Sequence, residues 1–197
     1  AGALAAAFGP LRGVEIKGVT LDAGSGDIRI TGQSTLAAPV TDSGIGVWVY
    51  NGSSLSGHDI HISGQGSLLG QGRAMRGITI DGNSTLQGSG AIVIEGHGGS
   101  GDHEATGLRL DQATITATGT GSITLNGFGH ATPGDQNYGV ELRSATITGG
   151  ASGAVSITGV GGDTPLDWNS HGISMEATAI TTSGGSISLD GTSGLTK

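Results

Sequence analysis

The chain has 197 residues, of which 41 are glycine and only two each are tryptophan, tyrosine and phenylalanine. Its formal net charge is −8, from 16 acidic and 8 basic residues, and it has no cysteine. Such a chain is not equipped for nucleic acid or an anionic membrane surface, both of which call for clustered Lys and Arg. It has no apolar run of the ~18–20 residues that cross a bilayer as a helix, and disulfides contribute nothing.

Residues 1–12, with Leu4, Phe8 and Leu11 as their larger apolar members, read as an N-terminal segment or as the end of a preceding coil. From Gly13 onward one pattern repeats. A glycine opens each unit and is followed by an apolar–any–apolar triplet: Val14-Glu15-Ile16 after Gly13, Val47-Trp48-Val49 after Gly46, and Ile78-Thr79-Ile80 after Gly77. The same holds for Leu108-Arg109-Leu110 after Gly107, Val140-Glu141-Leu142 after Gly139, and Ile173-Ser174-Met175 after Gly172. These glycines lie 33, 31, 30, 32 and 33 residues apart.

Within each unit a single large aliphatic follows eight or nine positions on: Leu21, Leu55, Leu86, Ile115, Ile147 and Ile180. An alternating pair comes next, running from Ile28/Ile30 through Ile60/Ile62, Ile92/Ile94, Ile123/Leu125 and Val155/Ile157 to Ile187/Leu189. Period-two alternation marks half-buried strands, and β-branched residues favour them. Clusters of Gly, Ser, Asn and Asp between the stretches supply turns. A strand triplet repeated every 30–33 residues buries its apolar faces by stacking on its neighbours. The predicted fold is therefore all-β: a right-handed parallel β-helix of six coils with three short strands each. It occupies residues 13–197 as a fragment of a longer array, about 29 Å long at ~4.8 Å per coil. The rival, an antiparallel sandwich, does not repeat one three-strand pattern six times at near-constant spacing.

The openings, together with Ala145-Thr146-Ile147-Thr148 leading to Val155-Ser156-Ile157-Thr158-Gly159 and the tract Asn137-Tyr138-Gly139-Val140-Glu141-Leu142, resemble the shaft repeats of filamentous-haemagglutinin-like bacterial adhesins. The likeness runs from about Gly13 to Gly191. It implies a secreted or cell-surface protein of the two-partner-secretion type, serving attachment or biofilm formation. Its partners on that basis are host or matrix glycans or receptors, met by other parts of a longer protein. The segment itself is expected to be a monomeric rod or to stack end to end, without membrane insertion.

Outward positions should form ladders. One reads Glu15, Trp48, Thr79, Arg109, Glu141, Ser174; its neighbour reads Lys17, Tyr50, Asp81, Asp111, Arg143, Glu176. The plain expectation is a set of exposed ion pairs in which Arg109 reaches Asp81, Asp111 and Glu141. The alternative is a carbohydrate-active β-helix, with Asp81, Arg109, Asp111 and Glu141 as acid, base or calcium ligands and Trp48 and Tyr50 stacking on a sugar. A lesser alternative is an ice-binding surface on the Thr114/Thr116 and Thr146/Thr148 rows. His97, Asp102, His103 and Glu104 share a glycine-rich loop and are candidate metal ligands, although a solvated loop offers no fixed geometry. Trp168 is a further exposed-looking aromatic. With no adjacent aspartate pair, nucleophile triad or phosphate-cradling loop, the expectation is no enzyme and no cofactor.

Overall fold

The computed structural model describes residues 11–34, 43–164 and 169–195. Leu4, Phe8 and Trp168, singled out above, lie outside them. The described residues hold eighteen strands in three parallel sheets of six, and no helix.

Sheet 1 is formed by the opening triplets: β1 (Leu11–Lys17), β4 (Gly44–Tyr50), β7 (Ile78–Ile80), β10 (Leu108–Asp111), β13 (Val140–Arg143) and β16 (Ile173–Glu176). Sheet 2 carries the single large aliphatics on β2 (Thr20–Asp22), β5 (Ser54–Gly57), β8 (Thr85–Gly88), β11 (Thr114–Ala117), β14 (Thr146–Thr148) and β17 (Ala179–Thr181). Sheet 3 holds the alternating pairs on β3 (Ile28–Gln33), β6 (Ile60–Gln65), β9 (Ile92–His97), β12 (Ile123–Phe128), β15 (Val155–Val160) and β18 (Ile187–Thr192). Every strand pairs in parallel with its equivalent one coil away, so the protein is a parallel β-helix and the sandwich is excluded.

Register follows the repeat. Ile16, Val49, Ile80, Leu110, Leu142 and Met175 form one interior line. Leu21, Leu55, Leu86, Ile115, Ile147 and Ile180 form a second. From Val49 to Leu142 and from Leu55 to Ile147 these side chains are at most 1 % exposed. Burial of each such aliphatic stabilises the fold by about 1.5–3 kcal/mol.

The corner between sheets 1 and 2 is set by the backbone. Five residues after each opening glycine stand Gly18, Asn51, Gly82, Gln112, Ser144 and Ala177, all left-handed with φ between 48° and 62°. Just beyond, Ser53 and Ser84 are buried and donate their hydroxyls to the corner carbonyls of Tyr50 and Asp81, both at 2.7 Å. A short, polar, inward residue thus ties the turn it follows.

The connections over 66–76, 98–106 and 129–138, which lead from sheet 3 to the next opening glycine, lie in stacked layers. Gly99 and Ala74 donate backbone hydrogen bonds to Met75 and His103, and Glu104 and Thr132 to Asp135 and Asp163. Met75, Ala105 and Asn137 are fully buried there. The expected solvated glycine loop is thereby corrected: each layer fills the backbone valences of the next.

The two ends of the described array differ. Ile16, Ile28 and Ile30 in the first coil are 7–9 % exposed, whereas Met175, Ile187 and Leu189 in the last are 46–47 % exposed.

Candidate functional site

The outer face of sheet 1 concentrates the aromatic and charged side chains. Its ladder register is as expected, with Glu15 beside Trp48, Trp48 beside Thr79, Thr79 beside Arg109 and Arg109 beside Glu141. Its exposure is not. Thr79 and Glu141 are buried, at 1 % and 7 %, because on a ~4.8 Å coil spacing the bulky Trp48 and Arg109 rungs overhang what lies between and beside them.

Trp48 and Tyr50 stack on each other, with ring centroids 4.0 Å apart and planes 13° apart. The Arg12 guanidinium lies 4.6 Å from the Trp48 centroid and the Lys17 ammonium 5.6 Å from that of Tyr50, both within cation–π range. Tyr50 Oη donates to Glu15 Oε1 at 2.6 Å, and this bond holds the phenol's proton to higher pH than usual. The rings proposed to meet a sugar are thus engaged by one another and by cations of the preceding coil.

Farther along the face, Arg109 contacts Asp111 within its own strand at 2.8 Å and Glu141 one coil on at 3.5 Å. Burial works against the Arg109 charge, but the Asp111 hydrogen bond and the Glu141 carboxylate outweigh it and raise its pKa. Asp81, expected to meet Arg109 directly, instead accepts a hydrogen bond from Trp48 Nε1 at 3.2 Å. Its carboxyl is raised above the ordinary range, chiefly by burial, with the Trp48 bond and Arg109 opposing. Arg143 reaches Glu176 at 3.6 Å. The chemistry on offer is a paired network with an acidic excess: Asp111 and Glu141 share one arginine, and Asp81 is held by an indole.

Arg76 was not anticipated. It stands just before an opening glycine, pairs with Glu104 of the next connection, and is nearly enclosed. Burial, and then Arg109, lower its pKa. The signal was present in the position preceding each opening glycine, which also holds Arg12, Tyr138 and His171; the last two stack at 5.8 Å.

The candidate metal ligands do not gather. His97 Nε2 lies 2.9 Å from Glu95 and its ring stacks on Phe128 at 4.7 Å. His103 lies between Asp102, 3.5 Å from Nε2, and Asp135, 3.7 Å from Nδ1, so these carboxylates flank opposite ring nitrogens. Among the described residues the convergent trio of ligating side chains is a different one, Asp27, His58 and Asp59, on the corner between sheets 2 and 3. Asn137 was also missed as a structural residue. Its side-chain oxygen accepts from Ala105 N and Thr132 Oγ1 and its amide donates to Gly134 O, which locks two successive connections together.

Sheet 2 presents a flat polar ladder in which Thr114 lies beside Thr146, and Thr116 beside Thr148. Thr85 donates to Ser54 at 3.2 Å, and Thr181 to Thr148 at 3.4 Å. No family model matches this chain, and no curated protein or solved structure matches it either. The class the geometry defines is a three-sheet parallel β-helix.

Proposed function

We propose that this chain is a structural shaft segment of a large secreted or cell-surface bacterial adhesin, holding attachment surfaces away from the cell, and that it performs no catalysis. The observation that supports this most is the register of the three six-stranded sheets, in which every strand lies in parallel on its equivalent one coil away and the inward aliphatics form continuous lines. Such stacking is modular, each coil meeting only its neighbours, as an extended repeat rod requires. The side-chain pairs of sheet 1 support the same reading, since ion pairs and cation–ring contacts between coils tie successive rungs together. The resemblance of the openings to adhesin shaft repeats supplies the setting.

The test is placement and attachment. Antibodies raised against this segment should label intact, unpermeabilised producing cells, and in-frame deletion of its coils from the gene should lower surface attachment. Labelling only after lysis would overturn the surface assignment. Turnover of an acidic oligosaccharide with calcium, abolished by Asp111→Asn, would replace the shaft with the carbohydrate-active alternative.

A further inference from the structure

We propose that Asp27, His58 and Asp59 form a binding site for a divalent transition-metal ion of the zinc type, clipping the first coil to the second. Two residues before each strand of sheet 3 the chain carries Gly26, His58, Gly90, Gly121, Gly153 and Gly185. Five of the six positions are glycine, and only the second coil departs, with an imidazole. The next position reads Asp27, Asp59, Ala91, Ser122, Ala154 and Ser186, so the two carboxylates of this column flank the one histidine. Like charges stacked on neighbouring strands oppose each other, and a cation between them removes that cost.

The backbone places the three groups. His58 N donates to Gly26 O at 2.7 Å and Gly90 N to His58 O at 2.9 Å, which fixes the column. Asp59 N donates to Asp27 Oδ1 at 3.2 Å, and Ala91 N to Asp59 Oδ1 at 2.7 Å. Each carboxylate is therefore oriented by an amide of the following coil, as metal-ligating carboxylates commonly are. His58 Nδ1 lies 3.2 Å from Asp59 Oδ1 and 3.6 Å from Asp27 Oδ1, and the three donor atoms fall within 4.8 Å of one another. A tetrahedral ion with bonds of about 2.0–2.1 Å separates its ligands by about 3.3 Å, and the two spacings from His58, 3.2 and 3.6 Å, lie on either side of that value. A side chain at Gly90 would strike Asp59 Oδ1 and come within 3.0 Å of His58 Nδ1, so the glycine of the third coil keeps the space beside these donors clear. One imidazole and two carboxylates leave a fourth position to water, and this donor set suits zinc better than calcium.

The fold supplies its own test substitutions, because sister coils carry His58→Gly, Asp59→Ala and Asp27→Ser at these positions. Zinc chloride titrated calorimetrically into the whole chain should bind one to one with a Kd below about 100 μM and should raise the melting temperature. His58→Gly and Asp59→Ala should each weaken binding by about tenfold or more and leave the metal-free melt and circular dichroism close to the parent's. His97→Ala should bind as the parent does. Absence of saturable binding, or binding unchanged in both His58→Gly and Asp59→Ala, overturns the site. If one variant fails to fold, the other decides.

Discussion

Ile123 has no exposed surface and lies between Ile92 and Val155 in register. An aspartate there would face an interior with no cation to meet it, at a cost of at least about 3 kcal/mol. Ile123→Asp should therefore shift urea unfolding far to lower denaturant, and a parent-like curve would contradict its inward placement. Thr79 makes the converse case. Its hydroxyl is buried without a hydrogen-bond partner, so Thr79→Val, which keeps the shape and removes the unpaired group, should stabilise by about 1 kcal/mol in the same measurement. Asp81 carries a pH signature. Its folded pKa is raised by burial above the unfolded 3.8, so its contribution to stability is present below that value and lost as pH rises through the folded one. Asp81→Asn should accordingly melt higher than the parent at neutral pH, with the gap closing as pH falls through the raised folded pKa and gone below 3.8.

Among the elements, the strands were legible and the corners were not. A strand announces itself by alternation: Ile28/Ile30 and their five equivalents can only face one way together, and a one-residue slip would turn all of them outward. The corner after sheet 1 needs a left-handed residue, but only Gly18, Gly82 and Asn51 are of the types that favour it. Gln112, Ser144 and Ala177 occupy the same conformation although their side chains disfavour it. A left-handed alanine costs about 1–2 kcal/mol, part of which a glycine would give back as chain entropy. Ala177→Gly should thus raise unfolding stability by about 0.5–1 kcal/mol, and a loss would show that this corner is not under strain. The site was legible in part for the same reason. Ladder order followed from the period, and so Arg109 was rightly placed beside Glu141. Burial of Thr79 and Glu141 depends on the reach of Trp48 and Arg109 across rungs, which spacing does not encode. His58 was hidden by its neighbours: one histidine among glycines stands out only once the column is aligned.

For the molecule as a whole, the physical consequence of stacking is a rod whose properties vary along its axis rather than around one centre. Its interior is sealed in the middle coils, and the ion pairs that Arg109 and Arg143 make lie on the outer face of sheet 1. The continuous interior lines and the parallel pairing of all three sheets rest on equivalent residues lying directly above one another. The absence of cysteine makes that arrangement measurable with paired nitroxide labels on the exposed ladder of sheet 2. One label stays at Thr20, and its partner moves to Thr114, Thr146 and Ala179, which lie three, four and five coils away. Electron–electron distances should lengthen evenly, from about 14 to about 19 to about 24 Å between backbones, by ~4.8 Å per coil. Distances that fail to rise in that order would contradict the stacked solenoid.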